Sequence, residues 1–120
     1  MSVLIVDDAE DSREMYADYL RFKGHTVETE KNGRDGLARA LAAPPDAAVL
    51  DLTMPGIDGY DVIRALRADA RTSRVLIIVV SGHAMTGVES RVYEAGADVF
   101  LAKPCLPEAL EAVVARGRRP

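Results

Sequence analysis

Several ingredients are scarce in this 120-residue chain, and each scarcity narrows the field. One cysteine, Cys105, cannot form an internal disulfide, so no disulfide framework exists. The longest unbroken apolar run is Val75 to Val80, far short of a membrane span. Basic residues number 15 against 19 acidic ones, a net charge of −4 that argues against non-specific nucleic-acid binding. Aromatic residues make up only 5%, and no G-x-G-x-x-G or P-loop glycine pattern occurs, so a flavin or nucleotide site has little to recommend it. Met1 leads directly into a strand-like run without a basic, signal-like leader, and the expected compartment is the cytoplasm. What remains is 48% apolar and 28% charged, the balance of an ordinary globule, and residues 1–120 are expected to form one domain.

The organisation is an alternation of short apolar runs with helical patterns. Val3–Val6, Ala47–Leu50 and Val75–Val80 are continuously apolar, as strands covered on both faces are. His25–Glu30 alternates, like an edge strand, and Val99–Ala102 is a fifth candidate. Met15, Tyr19 and Phe22 recur at i, i+4, i+7 and predict a helix over residues 10–23 with that stripe buried, ended by Gly24. Leu37 with Leu41, then Val62, Ile63 and Leu66, then Val88, Val92 and Ala95 before Gly96, and finally Leu106, Leu110, Val113 and Val114 mark four more. Five βα units imply an α/β fold with a parallel sheet and helices on both faces. The expectation is a doubly wound, flavodoxin-like (βα)5 arrangement with strand order 2-1-3-4-5. Eight units would be needed to close a barrel.

Ligands bind such sheets outside the carboxyl ends of the strands. The first strand is followed by Asp7 and Asp8, the third by Asp51, the fourth by Ser81 and Gly82, and the fifth by Lys103 and Pro104. Glu30, Lys31 and Asn32 after the second strand receive no role. Each group alone has an ordinary explanation: helix capping for the acid pair, turn chemistry for Ser81–Gly82 and Lys103–Pro104. Their coincidence on one rim is what carries weight. Three carboxylates and one ammonium leave a net −2, and two carboxylates about 4 Å apart repel by roughly 4 kcal/mol at an effective dielectric of 20. Either a carboxyl is protonated or a divalent cation binds. Hard oxygen donors without a Cys or His cluster favour Mg²⁺ over Zn²⁺, with Mn²⁺ able to substitute. A cation, an ammonium and a hydroxyl together suit a phosphoryl group, and a carboxylate can serve as its nucleophile.

The runs Val3-Leu4-Ile5-Val6-Asp7-Asp8, Asp51-Leu52-Thr53-Met54-Pro55-Gly56-Ile57-Asp58-Gly59, Ser81-Gly82, Gly96-Ala97-Asp98 and Lys103-Pro104 together resemble the response-regulator receiver domain of two-component signalling. The resemblance covers essentially the whole chain. It implies that Asp51 is the phosphoacceptor and that Asp7, Asp8, Asp51 and the backbone carbonyl of Thr53 hold Mg²⁺. It implies that Lys103 pairs with the phosphoryl group and that its bond to Pro104 is cis. Ser81 and Phe100 would be the switch pair, changing the surface of the fourth helix, fifth strand and fifth helix. Thr53 and His83 would tune hydrolysis of the phosphorylated state. The implied partners are a histidine kinase or phosphotransfer protein and a downstream protein or output domain, with the chain a monomer or a phosphorylation-dependent dimer, and neither nucleic acid nor membrane a partner. Cys105 reads as a structural thiol rather than a redox sensor. No helix-turn-helix follows the last helix, so a receiver alone is expected, free-standing or part of a longer protein.

Two rivals differ in class. A haloacid-dehalogenase-type phosphatase also uses an aspartate nucleophile with Mg²⁺, but it wants a second aspartate where Thr53 stands. A degenerate receiver would act as an interaction module without phosphate, against which the full set Asp7, Asp8, Asp51, Ser81 and Lys103 speaks.

Overall fold

In a computed structural model, which describes residues 1–52, 57–82 and 87–117, five strands alternate with five helices. In chain order they are β1 (Ser2–Val6), α1 (Glu10–Phe22), β2 (Thr26–Glu30), α2 (Gly33–Ala42), β3 (Ala47–Leu50), α3 (Gly59–Ala68), β4 (Leu76–Ser81), α4 (Val88–Ala95), β5 (Val99–Ala102) and α5 (Pro107–Arg116). All strand pairs are parallel, in the order β2-β1-β3-β4-β5.

The unbroken apolarity of the inner strands follows from this layering. Leu4, Val6, Ala48, Leu50, Ile77 and Val79 face a core shared with α2, α3 and α4. The intervening Val3, Ile5, Ala47, Val49, Leu76, Ile78 and Val80 face a second core with α1 and α5. Side chains alternate across a strand, so a strand with helices on both sides has no polar face. β2, at one edge, buries only Val27.

Three sequence expectations are corrected. In α1 the buried residues are Tyr16, Ala17 and Leu20, whereas Met15 is 44% and Phe22 83% exposed. Two apolar stripes overlap on this helix, one residue out of phase. The one turned to the sheet seats the small Ala17 against the strands and gives the Tyr16 hydroxyl a partner, while Tyr19 and Phe22 form an outward ring pair. Leu106 is the residue before α5, not its first buried position, and is 68% exposed. The fourth strand begins one residue later than expected, since the Val75 N–H is taken by the Thr72 carbonyl in the preceding turn, and it runs through Ser81.

α2 approaches the sheet on its small residues Gly33, Gly36 and Ala40, with Leu37 and Leu41 only half-buried. Asn32 caps this helix by accepting from the Asp35 N–H at 2.8 Å. A Cβ on Gly36 would lie 2.6 Å from a methyl of Val6, the residue just before Asp7. Gly36→Ala is therefore expected to destabilise by about 1–2 kcal/mol, overpacking outweighing the gain in helix propensity. Urea unfolding measures this, and an unchanged midpoint would mean that α2 shifts away at no cost.

Candidate functional site

The parallel ladder carries four polar residues to one rim. Asp7 and Asp51 each follow the last residue of neighbouring strands, and Val6 pairs with Leu50 in register. The ladder runs one residue further, with the Asp51 N–H donating to the Val6 carbonyl at 3.1 Å. On the other side Ser81 pairs with Ala102, and the Lys103 N–H donates to the Ser81 carbonyl at 2.9 Å. The peptide bond between Lys103 and Pro104 is cis.

The side chains converge. Lys103 Nζ donates to Asp51 Oδ2 at 2.9 Å and to Asp7 Oδ2 at 3.3 Å. Asp7 and Asp51 are buried, 4% and 7% exposed, while Asp8 is open to solvent. One carboxylate oxygen from each of Asp7, Asp8 and Asp51 lies within 4.8 Å of the others. Asp7 is further fixed by the Ala9 N–H at 2.9 Å on its Oδ1, and Arg13 donates to its backbone carbonyl. Burial by itself lowers the Lys103 pKa, but the hydrogen bond and charge of Asp51, followed by Asp7, outweigh it and hold the ammonium above its ordinary value. The amine is thus a fixed cation through the neutral range. Three hard-oxygen donors with one ammonium fit a small divalent cation such as Mg²⁺ and not a thiolate- or imidazole-seeking metal.

Ser81 is fully buried at the end of β4, two residues past Val79, which pairs with Leu50. Phe100 lies below the rim. It pairs with Val79 and packs, half-buried, on the core shared with α3 and α4. Its backbone N–H, on the open edge of the sheet, donates to the Tyr93 hydroxyl of α4 at 3.2 Å. Thr53 and His83, and with them the expectations of a metal-binding carbonyl and of hydrolysis tuning, lie outside the described residues. Cys105 is half-buried and burial pushes its thiol pKa up, in keeping with a structural role.

Sequence reasoning missed Tyr16, Arg13 and Tyr93. Tyr16 sits one position off the periodic stripe, and its partner is 89 residues away. It also left Glu30 without a role; Glu30 forms an ion pair with Arg39 of α2, tying the edge strand to its following helix.

Strand order, rim and residue set are those of a signalling receiver, and the comparisons agree. Residues 3–115 match the family model described as the response regulator receiver domain, and the chain belongs to that family. It is 39% identical over 118 residues to Response regulator MprA of Mycolicibacterium vanbaalenii, covering 97% of this chain and 48% of that one. It is 28% identical over 113 residues to the polar-differentiation response regulator DivK of Brucella anthropi, covering 93% of this chain and 92% of that one. The structure of the chemotaxis response regulator CheY4 of Vibrio cholerae superposes with a TM-score of 0.89 at 30% identity, covering 96% of each chain. The chain thus spans about half the length of MprA and nearly all of DivK. It is a receiver domain of two-component signalling, a regulatory phosphoacceptor class, and the phosphatase reading is not favoured. Among the described residues no helix is long and apolar enough to cross a membrane.

Proposed function

We propose that residues 1–120 act as one receiver unit that accepts a phosphoryl group on Asp51. The donor is a phosphohistidine of a histidine kinase or phosphotransfer protein. An Asp51 carboxylate oxygen attacks the phosphorus, the bond from phosphorus to the donor nitrogen breaks, and the imidazole leaves with its electron pair and takes up a proton. Lys103 moves from the Asp51 carboxylate onto a phosphoryl oxygen while keeping Asp7 as its second partner. Asp7, Asp8 and Asp51 would hold Mg²⁺, or Mn²⁺ in its place, together with the Thr53 carbonyl. Such a cation supplies charge neutralisation for the carboxylates and a further contact for the phosphoryl oxygens.

The added charge is roughly −1.5 to −2 at pH 7, by analogy with other phosphorylated side chains, and biases a two-state equilibrium. Ser81 turns to the phosphoryl group and Phe100 fills the space released. The α4–β5–α5 surface changes as a result and controls a partner, an attached output domain or a second copy of the chain. Lys103 Nζ within hydrogen-bond reach of both Asp51 and Asp7 is the single observation that carries this reading.

The test is intact mass after incubation with Mg²⁺ and a small phosphodonor. One added phosphoryl group is expected in the wild type and none in Asp51→Asn. A label that persists in Asp51→Asn, or no label in the wild type, would overturn the assignment. Steady turnover of unrelated phosphomonoesters would instead restore the phosphatase.

A further inference from the structure

The turn between β5 and α5 carries Lys103 but has few backbone ties of its own. Lys103 N–H is bonded to the Ser81 carbonyl, which anchors the turn on the strand side. Pro104 and Pro107 have no N–H to donate. In the first turn of α5 the N–H groups of Ala109 and Leu110 go to the Leu106 carbonyl. The Cys105 carbonyl, between these anchors, takes its hydrogen bond from the side chain of another element: Tyr16 Oη of α1 donates to it at 2.7 Å. The Tyr16 ring is 3% exposed and lies in the core that α1 and α5 share, so its hydroxyl is aimed by packing rather than by its own rotamer freedom. α1 also begins just beyond Asp7 and Asp8, and its Arg13 holds the Asp7 carbonyl at 2.9 Å. One helix therefore grips both sides of the acid–ammonium cluster.

We infer that Tyr16 is a positioning residue of the phosphoryl-accepting site, setting the place of Lys103 Nζ by clamping the Cys105 carbonyl two residues downstream. The inference rests on the phosphoacceptor reading of Asp51 and names a residue that acts on it from outside the cluster. The ring fills space in the core, a task that phenylalanine performs equally well. The hydroxyl has a separate task, because an aliphatic or unsubstituted aromatic side chain would pack there without reaching the carbonyl. With the clamp in place, Lys103 spans Asp51 and Asp7 at once. Without it the turn relaxes and the ammonium spends part of its time in water, where it neither balances the carboxylates nor meets an arriving phosphoryl oxygen. Burial first of all raises the Tyr16 pKa, so the phenol remains a proton donor at any pH at which the site works.

Tyr16→Phe in the full chain removes the hydroxyl and keeps the ring, and two measurements judge it. The first needs no phosphoryl chemistry: the exchange of Lys103 ammonium protons with water, followed by NMR of lysine-labelled protein at neutral pH. Exchange is expected to be several-fold faster in Tyr16→Phe. The second is the rate of mass labelling with Mg²⁺ and a small phosphodonor. Tyr16→Phe is expected to slow it by about 10-fold, the size usual for residues that orient the groups at a site. The half-saturating donor concentration should stay unchanged. In a Lys103→Met background the same substitution should alter the residual rate by less than about twofold, since a residue acting through Lys103 has nothing left to position. Unchanged ammonium exchange, or an undiminished loss of rate in the Lys103→Met background, would overturn the inference. Should wild-type Asp51 take no label, the phosphoacceptor reading fails, and the ammonium exchange alone decides for or against Tyr16.

Discussion

Replacing Lys103 with methionine is expected to slow phosphoryl uptake at Asp51 by about 10²–10³-fold, the size of losing one preorganised charge-stabilising donor. The same change is expected to lower stability by about 2 kcal/mol. Both effects have one origin. Lys103 Nζ bridges two carboxylates that are 7% and 4% exposed, with the third, Asp8, close by. Removing the ammonium leaves buried like charges facing each other. Breaking a fully buried ion pair costs about 3–5 kcal/mol, and the 23% exposure of the Lys103 side chain brings the figure down. If the trio holds Mg²⁺ as proposed, added Mg²⁺ should restore part of the lost stability, because a ligand of the assembled trio favours the folded state. Urea unfolding with and without Mg²⁺ and mass labelling check both halves.

The pH dependence follows from the raised pKa of Lys103. A cation held above its ordinary value contributes stability that is fully present below the unfolded pKa of 10.5 and is lost as pH rises through the folded value. The stability difference between wild type and Lys103→Met should therefore be flat through neutral pH and shrink only in strong alkali. A difference that vanished near pH 8 would mean the ammonium is not held by Asp51 and Asp7.

Arg67→Leu is expected to cost more, about 3–5 kcal/mol, although Arg67 lies at the opposite end of the sheet from the acid–ammonium cluster. Its guanidinium closes the α3 end onto both β4 and β5. Nε donates to the Gly96 carbonyl at 2.7 Å, Nη1 to the carbonyls of Val75 at 2.6 Å and Ser73 at 3.2 Å, and Nη2 pairs with Asp98. The Asp98 side chain is 4% exposed and also accepts the Ile77 N–H at 2.9 Å. Leucine would strand a buried carboxylate and leave three carbonyls short of a donor. Gly96 belongs to the same bolt: it has φ +121°, and a Cβ there would meet Arg67 Cγ at 2.6 Å. Adding Asp98→Asn to Arg67→Leu should recover part of the loss by removing the stranded charge. Urea midpoints measure it. Labelling of Asp51 under native conditions should stay within about twofold, since the Arg67 guanidinium holds groups of Ser73, Val75, Gly96 and Asp98, at the other end of the strands from Asp51. A loss below about 1 kcal/mol would make the bolt an exposed-type ion pair.

Most of the site could be read from the residues because a strongly apolar strand announces where it ends. Val3–Val6 and Ala47–Leu50 stop at Asp7 and Asp51, and strand order then places those residues side by side. Lys103 and Ser81 were readable for the same reason. The face of α1 was not, since Met15–Tyr19–Phe22 and Tyr16–Ala17–Leu20 satisfy helical spacing about equally well, and only contact with the sheet chooses between them. Nor was the buried face of α2, which meets the sheet through Gly33, Gly36 and Ala40, small residues that carry little hydropathy.

Local pattern by itself determined the five βα units, the rim on which chemistry collects and the residues standing at each strand end, because period and strand termini are properties of consecutive residues. Tertiary structure alone decided that Lys103 spans Asp7 and Asp51, that Tyr16 grips the turn behind it and that Arg67 bolts the far end. These contacts join residues 96, 52, 89 and 31 positions apart, and no periodicity along a chain encodes which distant groups packing will bring within hydrogen-bond reach.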